Sequence, residues 1–352
     1  MDRVAILSAA DRQALFEEVA ARRGLSALVI EKDFWVCWAL RRVFALPMLG
    51  EQFIFKGGTS LSKVFGLIER FSEDIDLSIQ RDYLGAVGDR DPEQEGISST
   101  QRARRVEALR DRCRLVVREQ MQPALAAALT DHLGASGTSW RLEPDPEEEG
   151  TLLFTYPAVQ SFGVLPAYIR PQVKLEMGAG SDPYPLGRHL VRSYAAETFP
   201  EVFGSPEVTV VALEAERTFW EKATLLHAEC HRSPDRPTPP RLSRHYYDLM
   251  RLAQHPVGER ALADRALRER VVRHESVYFA SGWASYETAH PGTFRLVPGP
   301  ERVSALRQDY RQMRDMIFAH TPTFEAIMEA ITKLEKSINE SQFIQVPDRP
   351  LL

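Results

Sequence analysis

Cysteine is scarce: Cys37, Cys113 and Cys230 are the only three in 352 residues, and they lie far apart. None has a neighbour at metal-ligand spacing, which excludes a zinc ribbon or a disulfide scaffold and suits reduced, partly buried thiols in a cytoplasmic protein. Long apolar runs are missing as well. No stretch reaches the length of a membrane span, and the opening MDRVAILSAADRQ lacks a signal peptide's apolar core, so no membrane role is expected. A positive balance is also absent: the formal net charge is −5, so any nucleic-acid surface must be a local patch. No internal repeat is visible. What is present, 44% hydrophobic and 26% charged residues, is the composition of a soluble globular protein. The length fits two domains, or one catalytic domain with a helical extension.

Residues 53–79, FIFKGGTSLSKVFGLIERFSEDIDLSI, organise the rest. An apolar run, Phe53-Ile54-Phe55, breaks at Gly57-Gly58; a helical pattern covers 60–68; then Asp74 and Asp76 alternate with Ile75, Leu77 and Ile79. Strand periodicity puts the two aspartates on one face. Adjacent carboxylates repel unless a cation lies between them, and hard oxygen ligands suit Mg²⁺, which completes its shell with substrate phosphates. The Gly-Gly turn lets backbone approach a ligand closely, and the N–H groups that follow it suit an anion. Together these point to nucleotidyl transfer. The competing reading is a plain strand-to-helix turn followed by the wet face of an edge strand.

Before this stretch, Ser8 caps a helix ending at Gly24, and Ser26 caps a second helix over 27–44. On that second helix Trp35 and Trp38 are expected in the core, and Glu31, Lys32 and Asp33 on the open face. After it, 81–96 is a polar loop, a candidate lid. A long helical pattern over 98–133 carries Arg102, Arg104, Arg105, Arg110, Arg112, Arg114 and Arg118, the densest basic segment and the best candidate for phosphate-backbone contact. Strands are expected at 140–142, 152–156, 169–177 and 208–212. In the third, Lys174 and Glu176 share a face, and Glu176 could supply the third acid that metal and base chemistry would use. Helices are expected at 213–229, with Lys222 and His227, and at 243–252, where Arg244, His245 and Asp248 share a face. The Pro- and Arg-rich stretch 231–242 is a candidate hinge. Residues 258–340 are helical in pattern with a break near 286–300, and 346–352 show no pattern.

The motifs Lys56-Gly57-Gly58-Thr59-Ser60-Leu61-Ser62-Lys63, Arg70-Phe71-Ser72-Glu73-Asp74-Ile75-Asp76-Leu77, Glu221-Lys222-Ala223 and Arg244-His245-Tyr246-Tyr247-Asp248-Leu249 resemble, in order, those of the AbiEii/AbiGii nucleotidyltransferase-like toxins. The resemblance covers roughly 31–252, and its first motif is highly specific. It implies an α+β fold: a DNA polymerase β-type nucleotidyltransferase core with a mixed sheet over 1–212, and a helical C-terminal lobe over 213–345. It also implies a toxin of a type IV toxin–antitoxin or abortive-infection phage-defence system, with a separately encoded antitoxin. Related MenT toxins look like tRNA nucleotidyltransferases that add pyrimidine nucleotides to the acceptor end and block translation. The chain departs from the pattern in having Glu176 where many relatives have Asp, and His245 where an acidic residue is common.

On this reading Asp74, Asp76 and Glu176 hold Mg²⁺, with Mn²⁺ as a substitute, against the phosphates of a nucleoside triphosphate. Backbone N–H groups at Gly58, Thr59 and Ser60, with the Ser60 hydroxyl, cradle the triphosphate, and Gly57 permits the close approach. Lys56, Lys63, Arg70 and Arg244 are further substrate-binding candidates; the competing use of Lys63 is a surface lysine. Lys222 neutralises the triphosphate from the other lobe, and Asp248 orients Lys222 or the acceptor; the alternative for that pair is an interhelical salt bridge. The expected reaction moves a nucleoside monophosphate to an RNA acceptor such as the tRNA 3′ end. Nucleotidylation or phosphorylation of a protein such as the antitoxin, or a non-catalytic nucleotide-binding module, are the alternatives.

Overall fold

The computed structural model describes residues 1–137, 139–159, 170–180, 182–318 and 321–340. The chain divides into two compact units: residues 1–66 with 71–214, and residues 67–70 with 215–352.

The first unit opens with α1 (Asp2–Ala5), α2 (Ala9–Arg23) and α3 (Ala27–Phe44). Ser8 and Ser26 cap α2 and α3 by accepting the backbone N–H groups of Asp11 and Val29, and Gly24 ends α2 in the left-handed region at φ 66°. Each such cap contributes about 1 kcal/mol. Then come β1 (Phe53–Lys56), α4 (Gly57–Lys63) and β2 (Ile75–Ile79). The helix after the glycines thus starts and stops earlier than the pattern over 60–68 predicts. Next, α5 (Ser99–Val116) and α6 (Gln122–Leu133) are joined through a wide turn at Val117–Met121. The strands β3 (Arg141–Pro144), β4 (Thr151–Thr155), β5 (Gln172–Gly178) and β6 (Leu186–Val191), the short α7 (Tyr194–Thr198) and β7 (Val208–Leu213) complete the unit.

The seven strands form one mixed sheet in the order β3-β4-β5-β2-β1-β7-β6. β1 runs antiparallel to β2 and parallel to β7, while β2 runs parallel to β5. The central strands are apolar because both faces are covered, and β6, which sequence patterning misses, is the edge: Leu186 and Leu190 are exposed on it. α3 packs on β5 and β7. Trp35 stacks on Tyr156 with centroids 5.4 Å apart and Trp38 on Phe154 at 5.9 Å, so both tryptophans are core. Glu31, Lys32 and Asp33 do not solvate an open face of α3; they are buried, because sheet and neighbouring helices enclose it on all sides. The expected strand start at 169, and the tail 346–352, lie outside the described residues.

The second unit contains α8 (Ala215–Cys230), α9 (Ser243–Ala253), α10 (Pro256–Ala263), α11 (Arg265–Tyr278), α12 (Pro300–Met313) and α13 (Phe324–Glu340). α8 and α9 pack on each other, and α9 also meets α10, α12 and α13. Trp220 of α8 is buried and donates its indole N–H to the Ala261 carbonyl at 2.9 Å. No helix among the described residues is long and apolar enough to cross a membrane.

Candidate active site

The candidate residues fall into two sets, one in each unit. In the first unit, strand pairing sets Lys56 of β1 opposite Asp76 of β2, Asp76 opposite Glu176 of β5, and Glu176 opposite Thr151 of β4. Residues directly paired across strands share a face, so these four form one row. Burial, then the neighbouring Glu176 carboxylate, pushes Asp76 up to about 7, with Lys56 pulling against them and Asp74 adding to the rise. Lys174 lies 2.8 Å from Glu176 and 2.6 Å from Glu148.

Gly57 starts α4 at φ 78°, and a β-carbon there would lie 2.0 Å from Asp76 Oδ2. The turn is therefore packed against the central carboxylate. Asp74 precedes β2, and its carbonyl accepts the Thr59 hydroxyl at 2.5 Å. Thr59 and Ser60 are fully buried, and the Ser60 hydroxyl donates to the Gly57 carbonyl at 2.9 Å. The hydroxyl expected to meet a phosphate is spent inside the turn. Lys63 is neither a surface lysine nor aimed at a phosphate: its Nζ lies 2.5 Å from Asp33 and 3.8 Å from the Tyr194 ring centroid. It points inward because α4 is only seven residues long and is clamped to α3 at its last residue.

Among the described residues no group of three His, Cys, Asp or Glu side chains is arranged to hold a metal. Two carboxylates facing each other at Asp76 and Glu176 do fit Mg²⁺, which commonly takes one or two protein carboxylates and leaves the rest of its shell to phosphates and water. Burial and the facing Glu176 carboxylate both disfavour the charged form of Asp76, and a cation bound by the pair would favour it.

In the second unit, Asp248 of α9 is fully buried between two cations. Arg70 grips it with Nε on Oδ1 at 2.7 Å and Nη2 on Oδ2 at 2.8 Å; Lys222 of α8 reaches Oδ2 at 2.8 Å. Burial alone would raise Asp248, but Arg70 and Lys222 outweigh it and hold its carboxyl well below the usual range. Burial lowers Lys222, and Asp248 works against that. His245 is held well below its ordinary value by burial and then by Lys222 and Arg244, so its ring is neutral; its Nδ1 has no hydrogen-bond partner among the described residues. Arg244 is half-buried and makes no ion pair among the described residues. Two cations thus grip one carboxylate, and the charge of Arg244 is felt at Lys222 and His245 beside them.

The basic helix α5 is less cationic than its composition suggests. Arg110 and Arg114 pair with Glu107, Arg114 also with Asp111 and Glu149, and Arg118 with Glu119. Arg102 and Arg105 donate to the Pro92 and Asp91 carbonyls.

Sequence reasoning missed the buried contacts of α3, Lys32 with Glu73 at 2.8 Å and Asp33 with Lys63. The signal was there: three consecutive charges between the apolar runs 28–30 and 34–40 of the same helix.

A mixed α+β sheet bearing a carboxylate row beside a glycine turn is the frame of a nucleotide-transferring enzyme. The model of the nucleotidyl transferase AbiEii toxin family, type IV toxin–antitoxin system, matches residues 38–330. The chain belongs to that family; it is a nucleotidyltransferase toxin, which implies a nucleoside triphosphate substrate and an antitoxin partner. Its fold is similar to that of MenT4, a nucleotidyltransferase toxin from Mycobacterium tuberculosis H37Rv, with 16% identity, a TM-score of 0.51, and 94% of this chain and 91% of that one covered. No curated protein matches the sequence.

Proposed function

We propose that this toxin transfers a nucleoside monophosphate from a nucleoside triphosphate to an RNA hydroxyl, the 3′ end of tRNA, and so arrests translation. The catalytic core is of the DNA polymerase β type over residues 1–212, with a helical lobe from residue 213. The observation that carries the reading is the row itself: Asp76 is paired across the sheet with Lys56 on one side and Glu176 on the other, and lies against the Gly57 turn. Burial first, and then the Glu176 carboxylate, push Asp76 up to about 7, in keeping with a functional carboxylate.

Asp76 and Glu176, with Asp74 beside them, would hold Mg²⁺. When bound, the ion neutralises the phosphate charge and the crowded carboxylates. Backbone N–H groups at Gly58, Thr59 and Ser60 bind phosphate oxygens, with Gly57 permitting the close approach, and Lys56 adds a positive charge at the end of the row. In the reaction the acceptor oxygen bonds to the α-phosphorus while the bond to the α–β bridging oxygen breaks, and pyrophosphate leaves. Glu176 takes the hydroxyl proton. Lys222 and Arg244 bind the anionic substrate, and Asp248 holds Lys222 and Arg70 in place.

The test is incubation with each α-labelled triphosphate, Mg²⁺, total RNA and the antitoxin, followed by separation of labelled RNA from labelled protein. Label on tRNA that is lost in Asp76→Ala, with the fold retained, is the expected result. Label on protein alone would replace RNA by a protein acceptor, and full transfer by Asp76→Ala would remove the assigned site.

A further inference from the structure

Glu31, Lys32 and Asp33 follow one another on α3 and are only 1, 2 and 5% exposed. Successive residues on a helix point about 100° apart, so three in a row reach in three directions. Buried ions are costly unless each finds a partner, and well-packed apolar side chains hold a fold as well or better. Stability alone therefore does not account for three adjacent charges here.

Their partners lie next to the parts of the acidic row. Asp33 accepts from Lys63 Nζ at 2.5 Å and from the Tyr194 N–H at 2.6 Å. Lys63 is the last residue of α4, whose first residue, Gly57, abuts Asp76. Lys32 lies 2.8 Å from Glu73, the residue before Asp74, and donates to the Arg170 carbonyl at 2.9 Å, just ahead of the strand that carries Glu176. Glu31 accepts the Val159 N–H at 2.7 Å, a few residues beyond β4, the strand paired with β5. One helix thus touches the supports of the glycine turn, of the aspartates and of the third acid.

We propose that Glu31-Lys32-Asp33 is the positioning motif of the active site: Asp33 fixes the glycine turn through Lys63, and Lys32 fixes the approach to Asp74 through Glu73 and the entry to β5 through Arg170. The motif touches no reacting atom, and its catalytic meaning rests on the reading of Asp74, Asp76 and Glu176 given above.

The paired variants Lys32→Met/Glu73→Gln and Asp33→Asn/Lys63→Met test it, because each removes both charges of a pair and leaves no lone buried ion to unfold the protein. Pyrophosphate release from a triphosphate gives kcat and KM, and hydrogen–deuterium exchange follows residues 57–63 and 70–76. The expected outcome is a melting temperature near wild type, a loss of about 100-fold in kcat from a misplacement of about 1 Å, a nearly unchanged KM, and faster exchange in the segment each pair supports. Wild-type kcat per folded molecule together with unchanged exchange would overturn the proposal. If the wild type itself releases no pyrophosphate, the functional reading fails on its own, and exchange alone decides the positioning role. Should a paired variant not fold, Asp33→Glu, which keeps the ion pair but lengthens it by one methylene, decides: reduced kcat supports the motif and wild-type kcat overturns it.

Discussion

Gly57 joins two constraints that are usually separate. Its φ of 78° lies where other residues are strained, and an added β-carbon would strike Asp76 Oδ2 at 2.0 Å. Gly66, nearby in the chain, shares the first constraint at φ 62° but has nothing within 4 Å of a virtual β-carbon. The two glycines therefore separate backbone strain from the packing of the carboxylate. Both alanine variants should lose about 1–2 kcal/mol from the left-handed backbone. Only Gly57→Ala should also displace Asp76 and lose about 100-fold in turnover. Thermal melts and pyrophosphate release measure the two effects; equal turnover in both variants would show that the close approach has no catalytic role. The glycine turn and the place of Asp76 on a strand were legible in the sequence because spacing alone reveals a turn and a strand face; Asp74, expected on the same strand face, precedes β2. The inward aim of Ser60 and Lys63 was not, because their partners, Gly57 O and Asp33, are set by tertiary packing.

At the scale of elements, capped helices such as α2 and α3 were legible to the residue, since Ser8, Gly24 and Ser26 act locally. The edge strand β6 was not: Leu-Gly-Arg-His-Leu-Val has no strong strand pattern, and only its ladder with β7 makes it a strand. In the second unit the loop after α11 depends on one ring. His227 of α8 is fully buried; its Nδ1 accepts the Arg295 N–H at 2.9 Å, and its Nε2 faces the Ser285 carbonyl at 3.1 Å and the Thr288 hydroxyl at 3.2 Å. Nδ1 must be unprotonated to accept, and burial pushes His227 down to about 4. Between about 6.5 and 4 the unfolded chain binds a proton that the folded one refuses, so stability is present above this window and falls as the pH drops through it. The loss from this group is about 3 kcal/mol by pH 4. His227→Gln should flatten that part of the slope, while costing about 1–2 kcal/mol at pH 7 through the lost hydrogen bonds. Urea unfolding at pH 7, 5.5 and 4.5 reads both effects. An unchanged slope in the variant would assign it to His231 and His245, whose values are also lowered.

At the scale of the whole molecule, the net charge of −5 and the self-neutralised arginines of α5 leave the carboxylate row as the feature whose chemistry responds most to solution conditions. Asp76 sits at about 7 in the folded protein, above the ordinary carboxylate range, because burial and Glu176 disfavour its charge. Between about 4 and 7 the folded state keeps a proton that the unfolded state releases, so this group's contribution to stability is present at low pH and is lost as the pH rises through 7. Mg²⁺ relieves the same crowding and competes with that proton. Added Mg²⁺ should therefore raise the melting temperature more at pH 8 than at pH 5.5. A ligand at about 100 times its dissociation constant stabilises by about 2.7 kcal/mol, which sets the size of the shift at pH 8. Asp76→Asn removes the titrating proton and the negative charge that the cation would meet, so the variant should be as stable without metal at pH 8 as at pH 5.5 in this respect, and should gain little from Mg²⁺. Chelation should return wild type at pH 8 to its metal-free melting temperature and stop pyrophosphate release, and Mn²⁺ should restore both. A Mg²⁺ shift of equal size at both pH values, or one that survives in Asp76→Asn, would place the cation away from the Asp76–Glu176 pair.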